Sequence, residues 1–174
     1  MINLLEYSNL QNKMTKIKKI AIITSQGGHL GQMKLIFSSE VIRKDNCVLI
    51  TENLKQGVKE RYFLNKYRTY FFKKDVLLKL NPFSYLSTLF KLIRILKKEK
   101  INLIFTNGAQ ISIPCVIACK LLGIKSIFID TVIRVKTPNW SARACYIFSN
   151  EFWVQHEQMA KKYGRKAKYV GGIV

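Results

Sequence analysis

Short apolar runs rich in β-branched residues alternate with helix-patterned segments along most of this chain, and this alternation constrains the fold more than any other feature. The runs Ile20–Ile23 and Leu103–Phe105 are apolar at consecutive positions, as expected for parallel strands that are covered on both faces. The order therefore predicts an α/β domain with a single Rossmann-like, doubly wound parallel sheet. Strands are predicted at Lys18–Ser25, Cys47–Glu52, Arg68–Phe72, Ile101–Thr106, Ser126–Asp130, Phe152–Gln155 and Lys168–Gly171. Helices are predicted at His29–Phe37, Asn53–Asn65, Pro82–Lys98, Pro114–Leu122, Asn139–Phe148 and His156–Tyr163.

The length of 174 residues is expected to give one domain. We assign residues 18–174 to the Rossmann-like domain and residues 1–17 to a leader that is either interfacial or disordered. The leader lacks the apolar core and cleavage site of a signal peptide, and no run approaches the ~18 apolar residues of a membrane span. The expected location is cytoplasmic, peripheral on the cytosolic face of a membrane.

The charge balance predicts an anionic partner. Thirty Lys and Arg stand against ten Asp and Glu, a formal net charge of +20. Nucleic acid, an anionic membrane surface and a phosphorylated substrate all fit such a field. The four cysteines show no metal-ligand spacing, so they are predicted to be buried free thiols in a reducing compartment, and no metal or cofactor is expected.

Polar and glycine residues follow three of the predicted strands: Ser25–His29, Thr106–Gln110 and Asp130–Thr131. Open parallel sheets bind ligands beyond the carboxyl ends of their strands, so these segments are the candidate site.

The paired glycines Gly27 and Gly28 lie between the first strand and the first helix. Glycines let backbone N–H groups approach a ligand closely, and a helix N-terminus attracts negative charge, so the turn suits a phosphate or diphosphate. His29 is placed to donate to a phosphate oxygen or to act as a base. The alternative is a simple tight turn in which His29 only caps or packs.

Several blocks in order resemble one glycosyltransferase family. It contains the membrane-associated subunit of the enzyme that adds the second N-acetylglucosamine to dolichol-diphosphate-linked sugar, together with bacterial capsular and exopolysaccharide relatives. The resemblance is carried by Ile22–Leu30, by Thr106–Ala109 with Ile113 and Pro114, by Lys120–Ile124, by Phe128–Thr131 with Arg134 and Val135, by Trp153–Glu157 and by Lys168–Gly172.

The resemblance implies the N-terminal, acceptor-binding half of a GT-B glycosyltransferase. In such enzymes this half holds a polyprenyl-diphosphate-linked sugar, and a separate donor-binding subunit completes the site without a metal. The chain is therefore expected to be inactive without that partner. The predicted diphosphate and acceptor contacts are Ser25, Gly27, Gly28, His29, Asn107, Gly108, Asp130 and Arg134, with His29 as the candidate catalytic group.

Some positions differ from the family pattern. Relatives often carry Glu at the positions of Gln32 and Asp130, Trp at that of His156, and Gly at Asn107 or Gln110. Gln32 cannot serve as a carboxylate base, so no catalytic role is assigned to it. Asp130 keeps the charge on a shorter arm.

The helix Pro82–Lys98 is the predicted membrane contact. Residues 73–100 carry eight basic and two acidic residues, and the helix places Lys91, Arg94 and Lys98 on one stripe near Phe90. A basic amphipathic helix can lie in an anionic interface. The alternative is an ordinary sheet-covering helix whose lysines face water.

Two other functions compete with this hypothesis. Glu52 ends the second strand as a ribose-binding acid of a dinucleotide-binding oxidoreductase would, but the glycine turn is not GxGxxG. Residues 134–168 combine eight basic residues with Trp140, Trp153 and Tyr163, which a nucleic-acid-binding module would use, but no zinc-finger or helix-turn-helix spacing accompanies them. We therefore predict no nucleic-acid partner.

Overall fold

The computed structural model describes residues 19–37, 46–52, 66–72, 82–108 and 110–172. The strands are β1 (Ile20–Ile23), β2 (Cys47–Glu52), β3 (Arg68–Phe72), β4 (Leu103–Thr106), β5 (Lys125–Ile129), β6 (Glu151–Val154) and β7 (Ala167–Tyr169). The helices are α1 (Gly28–Ile36), α2 (Pro82–Lys98), α3 (Ser112–Leu122), α4 (Trp140–Phe148) and α5 (Glu157–Tyr163). The leader, residues 1–17, and the helix predicted at Asn53–Asn65 lie outside the described residues.

The seven strands form one sheet in the order β3-β2-β1-β4-β5-β6-β7, and every neighbouring pair is parallel. The chain moves outward from β1 to β2 and β3, returns through α2 to β4, and then moves outward the other way. The order reverses between β1 and β4, where an open α/β sheet binds its ligand. The predicted doubly wound sheet is confirmed.

The helices cover the two faces as the apolar pattern requires. Leu30 and Met33 of α1 pack on one face, against the alternate residues of β1, β2 and β4. Leu92 and Leu96 of α2, with Cys115 of α3, pack on the other face. Helices α4 and α5 extend this second layer over β5 and β6. The strands β1, β2 and β4 are buried at every position, which explains why their sequences do not alternate.

Where the predicted boundaries differ from the observed ones, they differ by at most two residues. Helix α3 begins at Ser112 rather than Pro114, which still lies in its first turn, and Gly123 ends it in the left-handed conformation expected of a C-terminal glycine. The four cysteines are buried free thiols, as predicted. Among the described residues, no helix is both long and apolar enough to span a bilayer.

At the amino-terminal ends of the strands, Glu99 joins three elements. Its side chain is only 2% exposed and pairs with Lys19 at 2.6 Å and Arg68 at 3.1 Å, while the Tyr70 hydroxyl donates to it at 2.6 Å. Burial alone would raise the pKa of Glu99, but the hydrogen bonds from Lys19 and Tyr70 and the charges of Lys19 and Arg68 outweigh it and hold the pKa at about 2. The carboxylate thus ties the end of α2 to the starts of β1 and β3.

Replacing this carboxylate by an amide, Glu99→Gln, should lower the free energy of unfolding at pH 7 by about 2–3 kcal/mol, because it leaves the three partners of Glu99 without their shared charge. The wild-type advantage is present above the unfolded pKa near 4.5 and is lost as the pH falls toward about 2. Urea unfolding at pH 7 and pH 3 measures both effects. The exposed pair Glu157–Lys161 supplies the control, since Glu157→Gln should cost less than about 0.5 kcal/mol. Equal losses for the two variants would contradict the assignment.

Candidate functional site

Three loops meet at the carboxyl edge of the sheet. They follow β1, β4 and β5, which lie side by side, so the sheet order brings the segments at 24–29, 106–108 and 130–139 to one edge. On the β2 side, Gln26 Nε2 donates to the Glu52 carbonyl oxygen at 3.1 Å.

The paired-glycine turn is open. Gly27 has a φ of 75° and caps the start of α1; in the described part of the chain the helix has no side-chain cap hydrogen bond, and its first turn has no acidic residue. A Cβ atom built on Gly27 or Gly28 would meet no described atom within 4 Å. The N-terminus of this nine-residue helix therefore has no side-chain cap among the described residues and has open space beside both glycines, an arrangement that suits an anion.

The buried side chain of Asn107 holds the segments of the site together. Its side chain is fully buried, its Oδ1 accepts from Thr24 Oγ1 at 2.7 Å, and its Nδ2 donates to the His29 carbonyl oxygen at 2.6 Å. A longer contact of 3.5 Å joins the same Nδ2 to Gln32 Oε1. One amide thus connects the loop after β4 to β1 and α1, and its hydrogen bonds go to protein groups.

The imidazole of His29 lies over Gly108. A Cβ atom on Gly108 would stand 2.7 Å from His29 Cε1 and 3.1 Å from Nδ1, and Gly108 has a φ of 120° that side-chain-bearing residues rarely adopt. Ser112 Oγ accepts from the Gly108 N–H at 3.1 Å and donates to its carbonyl oxygen at 2.6 Å. Thr106 Oγ1 lies 2.7 Å from the same hydroxyl. The absent side chain at Gly108 is therefore what leaves room for His29.

The surroundings of His29 favour its neutral form. Burial lowers its pKa, the positive charge of Arg134 lowers it further, and a backbone interaction with Asn107 opposes the two. His29 Nδ1 is buried and has no hydrogen-bond partner among the described residues. At neutral pH the ring therefore keeps an available nitrogen lone pair and an N–H donor.

Asp130 and Arg134 form the third side of the site. Arg134 Nε lies 3.6 Å from Asp130 Oδ1 and is buried without a hydrogen bond within the described part of the chain. Burial raises the pKa of Asp130, while the Thr131 N–H, Arg134, Tyr163 and His156 oppose the rise. The cation therefore has hydrogen-bonding capacity left for a ligand.

Three polar residues that the sequence did not assign to the site belong to this arrangement. Ser112 holds the Gly108 loop, Gln32 lies one turn from His29 with its Nε2 buried and unpaired in the described structure, and Tyr163 reaches Asp130. The i, i+3 spacing of His29 and Gln32 was a usable signal. Nothing in the sequence links Tyr163 to Asp130. Within the described ranges, no group of three His, Cys, Asp or Glu residues could hold a metal ion.

The fold is shared with part of longer solved proteins. One is MurG from Acinetobacter baumannii, with a TM-score of 0.67 and 15% identity, where the match covers 88% of this chain and 45% of that one. Another is the UDP-N-acetylglucosamine 2-epimerase from Rickettsia bellii, with a TM-score of 0.63, 15% identity, and coverage of 90% of this chain and 45% of that one. The chain therefore has the fold of about half of each of these proteins, a single Rossmann-like parallel sheet with helices on both faces.

Residues 78–173 match the family described as "Oligosaccharide biosynthesis protein Alg14 like". This match covers more than half of the chain, and the chain belongs to that family.

The chain is also similar in sequence to curated transferases. A UDP-N-acetylglucosamine–N-acetylmuramyl-(pentapeptide) pyrophosphoryl-undecaprenol N-acetylglucosamine transferase of Prochlorococcus marinus strain MIT 9215 is 37% identical over 117 residues, covering 64% of this chain and 32% of the relative. The protein of the same name from strain MIT 9301 is 50% identical over 52 residues, covering 30% of this chain and 14% of the relative. The chain thus spans a third or less of these relatives' length.

Proposed function

We propose that this chain is the acceptor-binding, membrane-recruiting subunit of a two-subunit glycosyltransferase that acts on polyprenyl-diphosphate-linked sugar in polysaccharide biosynthesis. The observation that carries the proposal is the N-terminus of α1, which is open and uncapped among the described residues, together with the polar atoms His29 Nδ1 and Arg134 Nε, which have no hydrogen-bond partner there. Membership of the family supports it independently.

In this proposal the diphosphate lies on the glycine turn. The N–H groups at Gly27 and Gly28 donate to phosphate oxygens, Ser25 borders the turn, and Arg134 supplies the compensating charge. Gly108 leaves room for His29, and Asn107 shapes the seat from beneath. Asp130 orients Arg134 rather than meeting the anion, because two negative groups in contact would repel each other.

His29 has two roles open to it. As a donor it stabilises a phosphate oxygen, and as a neutral base it takes the proton of the attacking sugar hydroxyl. The lowered pKa suits both roles, since the ring is uncharged at pH 7. We favour the donor role, because α1 already directs the site toward an anion.

The solvent face of α2 supports the membrane role. Phe83 is 79% exposed and Phe90 57%, and Leu86 between them is exposed too. The exposed residues of the second half are basic: Lys91, Arg94, Lys97 and Lys98. Because α2 runs from the end of β3 to the start of β4, its apolar first turns lie at the same edge as the glycine turn. A lipid-linked acceptor would then reach the site from the surface into which Phe83 and Phe90 insert.

Reversing three charges on α2, with Lys91, Arg94 and Lys98 all changed to Glu, should weaken binding to anionic liposomes roughly 100-fold or more. Each basic residue near such a surface contributes about 1 kcal/mol. Liposome co-sedimentation over a salt series measures the change. A matched control reverses Lys34, Arg143 and Arg165, which are exposed on other elements and give the same net charge. Sedimentation of the α2 variant at the control's level would remove α2 as the anchor.

The proposed companion binds the nucleotide-sugar donor and docks at the carboxyl edge, where both substrates must meet. Ile133, 84% exposed in the loop after β5, and the exposed Val135 and Trp140 offer it an apolar rim beside Arg134. The buried free thiols support a reducing location, and hence the cytosolic face of the membrane.

Reconstitution tests the proposed function. The chain, a donor-binding companion and a polyprenyl-diphosphate sugar in anionic liposomes should transfer labelled sugar from a nucleotide-sugar, and each protein alone should not. Transfer by the chain alone would contradict the two-subunit proposal. Salt-sensitive binding to random duplex DNA without liposome association would favour a nucleic-acid module instead, and stabilisation by a nicotinamide cofactor would favour the oxidoreductase.

A further inference from the structure

Asp130 receives a hydrogen bond from a distant part of the chain. Tyr163, the last residue of α5, donates from its hydroxyl to Asp130 Oδ2 at 3.2 Å, and the Thr131 N–H donates to Oδ1 at 2.9 Å. Gln155 Nε2 donates to the Asp130 carbonyl oxygen at 2.8 Å. The carboxylate is therefore held at both oxygens and at its backbone.

Arg134 is held in turn by its surroundings. Its backbone N–H donates to the Thr131 carbonyl oxygen at 3.1 Å. In its side chain, Nη1 donates to the Thr137 carbonyl oxygen at 3.5 Å and Nε faces Asp130 Oδ1 at 3.6 Å. With these contacts in place, the guanidinium is near enough to His29 for its positive charge to lower the pKa of the imidazole. Of the three, the contact with Asp130 is the one through which α5 can act on the cation.

We propose that Tyr163 is a positioning residue that fixes Asp130 and, through it, holds the Arg134 guanidinium beside His29. Its consequence for sugar transfer rests on the proposed function; its consequence for His29 does not. Tyr163 belongs to a packed aromatic cluster with Phe152 and Tyr146, so its hydroxyl is rigidly placed.

The charged and titratable groups around Asp130 and His29 determine how the pKa of His29 should respond to a substitution. Asp130 faces Arg134 in its own loop, Tyr163 and His156 at the two ends of α5, and Cys145 on α4. His29 faces the charge of Arg134 and the backbone of Asn107. Loss of the Tyr163 hydroxyl removes a donor from Asp130 and loosens Arg134. The pKa of His29 should then rise toward its ordinary value, because a positive neighbour has withdrawn.

Imidazole NMR titration of the full chain tests this directly. The chain has two histidines, so the His29 signal is assigned by its loss in His29→Ala. We expect Arg134→Gln to raise the pKa of His29 and Tyr163→Phe to raise it in the same direction by less. Tyr146→Phe is the matched control, because its ring stacks on Tyr163 while its hydroxyl accepts from the Lys166 N–H instead. It should leave the His29 titration unchanged.

A His29 titration that is the same in Tyr163→Phe as in the wild type would overturn the proposal, as would an equal shift in Tyr146→Phe. If Tyr163→Phe fails to fold, Asp130→Asn replaces it, since the amide keeps the shape but loses the charge that holds Arg134, and an unmoved His29 there also overturns it. In the reconstituted pair, Tyr163→Phe should slow transfer about 10-fold or more through misplacement of Arg134. If the His29 titrations behave as expected but the reconstituted pair transfers no sugar, the proposed function is contradicted and the positioning role of Tyr163 is retained.

Discussion

His29→Ala should slow sugar transfer by the reconstituted pair roughly 10²–10³-fold and change the free energy of unfolding by less than about 1 kcal/mol. The rate should fall because the ring lies at the glycine turn and its Nδ1 has no hydrogen-bond partner in the residues that the structure describes. Stability should hold because Asn107 binds the His29 backbone carbonyl, which the substitution keeps. Initial rates and urea unfolding of the same preparations measure the two effects.

A second substitution separates the two roles of His29. His29→Gln keeps a hydrogen-bond donor but has no basic nitrogen, so a large recovery of rate relative to His29→Ala would assign the residue to phosphate binding. Rates equally low in both variants would assign it to proton transfer. Unchanged transfer in His29→Ala would remove His29 from the site.

Gly108→Ala should lower the transfer rate about 10²-fold, because the new methyl group would stand 2.7 Å from His29 Cε1 and force the imidazole out of place. The substitution also places a side chain at a φ of 120°, which should cost about 1–3 kcal/mol of stability. Transfer kinetics with the companion, together with thermal unfolding, measure both losses.

The control for Gly108→Ala is Gly123→Ala at the end of α3. Gly123 also has a positive φ, 66°, but a Cβ atom there would meet no described atom within 4 Å. It should cost about 1 kcal/mol of stability and leave transfer unchanged. Equal transfer rates in the two variants would show that the space beside His29 is not what the site requires of Gly108.

The sheet could be predicted from the sequence because its central strands appear as continuous apolar runs. Ile20–Ile23 and Leu103–Thr106 are covered on both faces, and that double burial leaves a continuous apolar run that admits few other interpretations. The connections predict parallel neighbours for most successive strands, but β4 pairs with β1 rather than with β3, and nothing in the sequence marks that return across the sheet.

Helix α2 shows where pattern alone was insufficient. Its sequence sets Lys91, Arg94 and Lys98 on a polar stripe and leaves Leu86 and Phe90 among the apolar positions. The structure buries Leu92 and Leu96 but exposes Leu86 and Phe90. The helix has more apolar residues than the sheet can cover, and only the packing of α2 on the sheet decides which of them remain at the surface.

The candidate site was predictable in position but not in its connections. End-of-strand location pointed to His29, Gly108 and Asp130, because carboxyl ends of parallel strands share an edge. Asn107 was expected to touch the ligand, whereas its buried amide is engaged by Thr24 and His29; ligand contact by Asn107 stays a prediction. Such hydrogen bonds join residues about 80 positions apart, and no local pattern in the sequence records them.

The proposed function requires that the glycine turn binds the phosphates of a lipid carrier. The most direct measurement titrates the ¹⁵N-labelled chain with a soluble, short-chain polyprenyl diphosphate sugar and follows backbone amide shifts. We expect saturable shifts centred on Gly27, Gly28 and Gly108, and weaker binding of the corresponding monophosphate. Binding that leaves these three amides unmoved, or no binding at millimolar ligand, would contradict the proposed function.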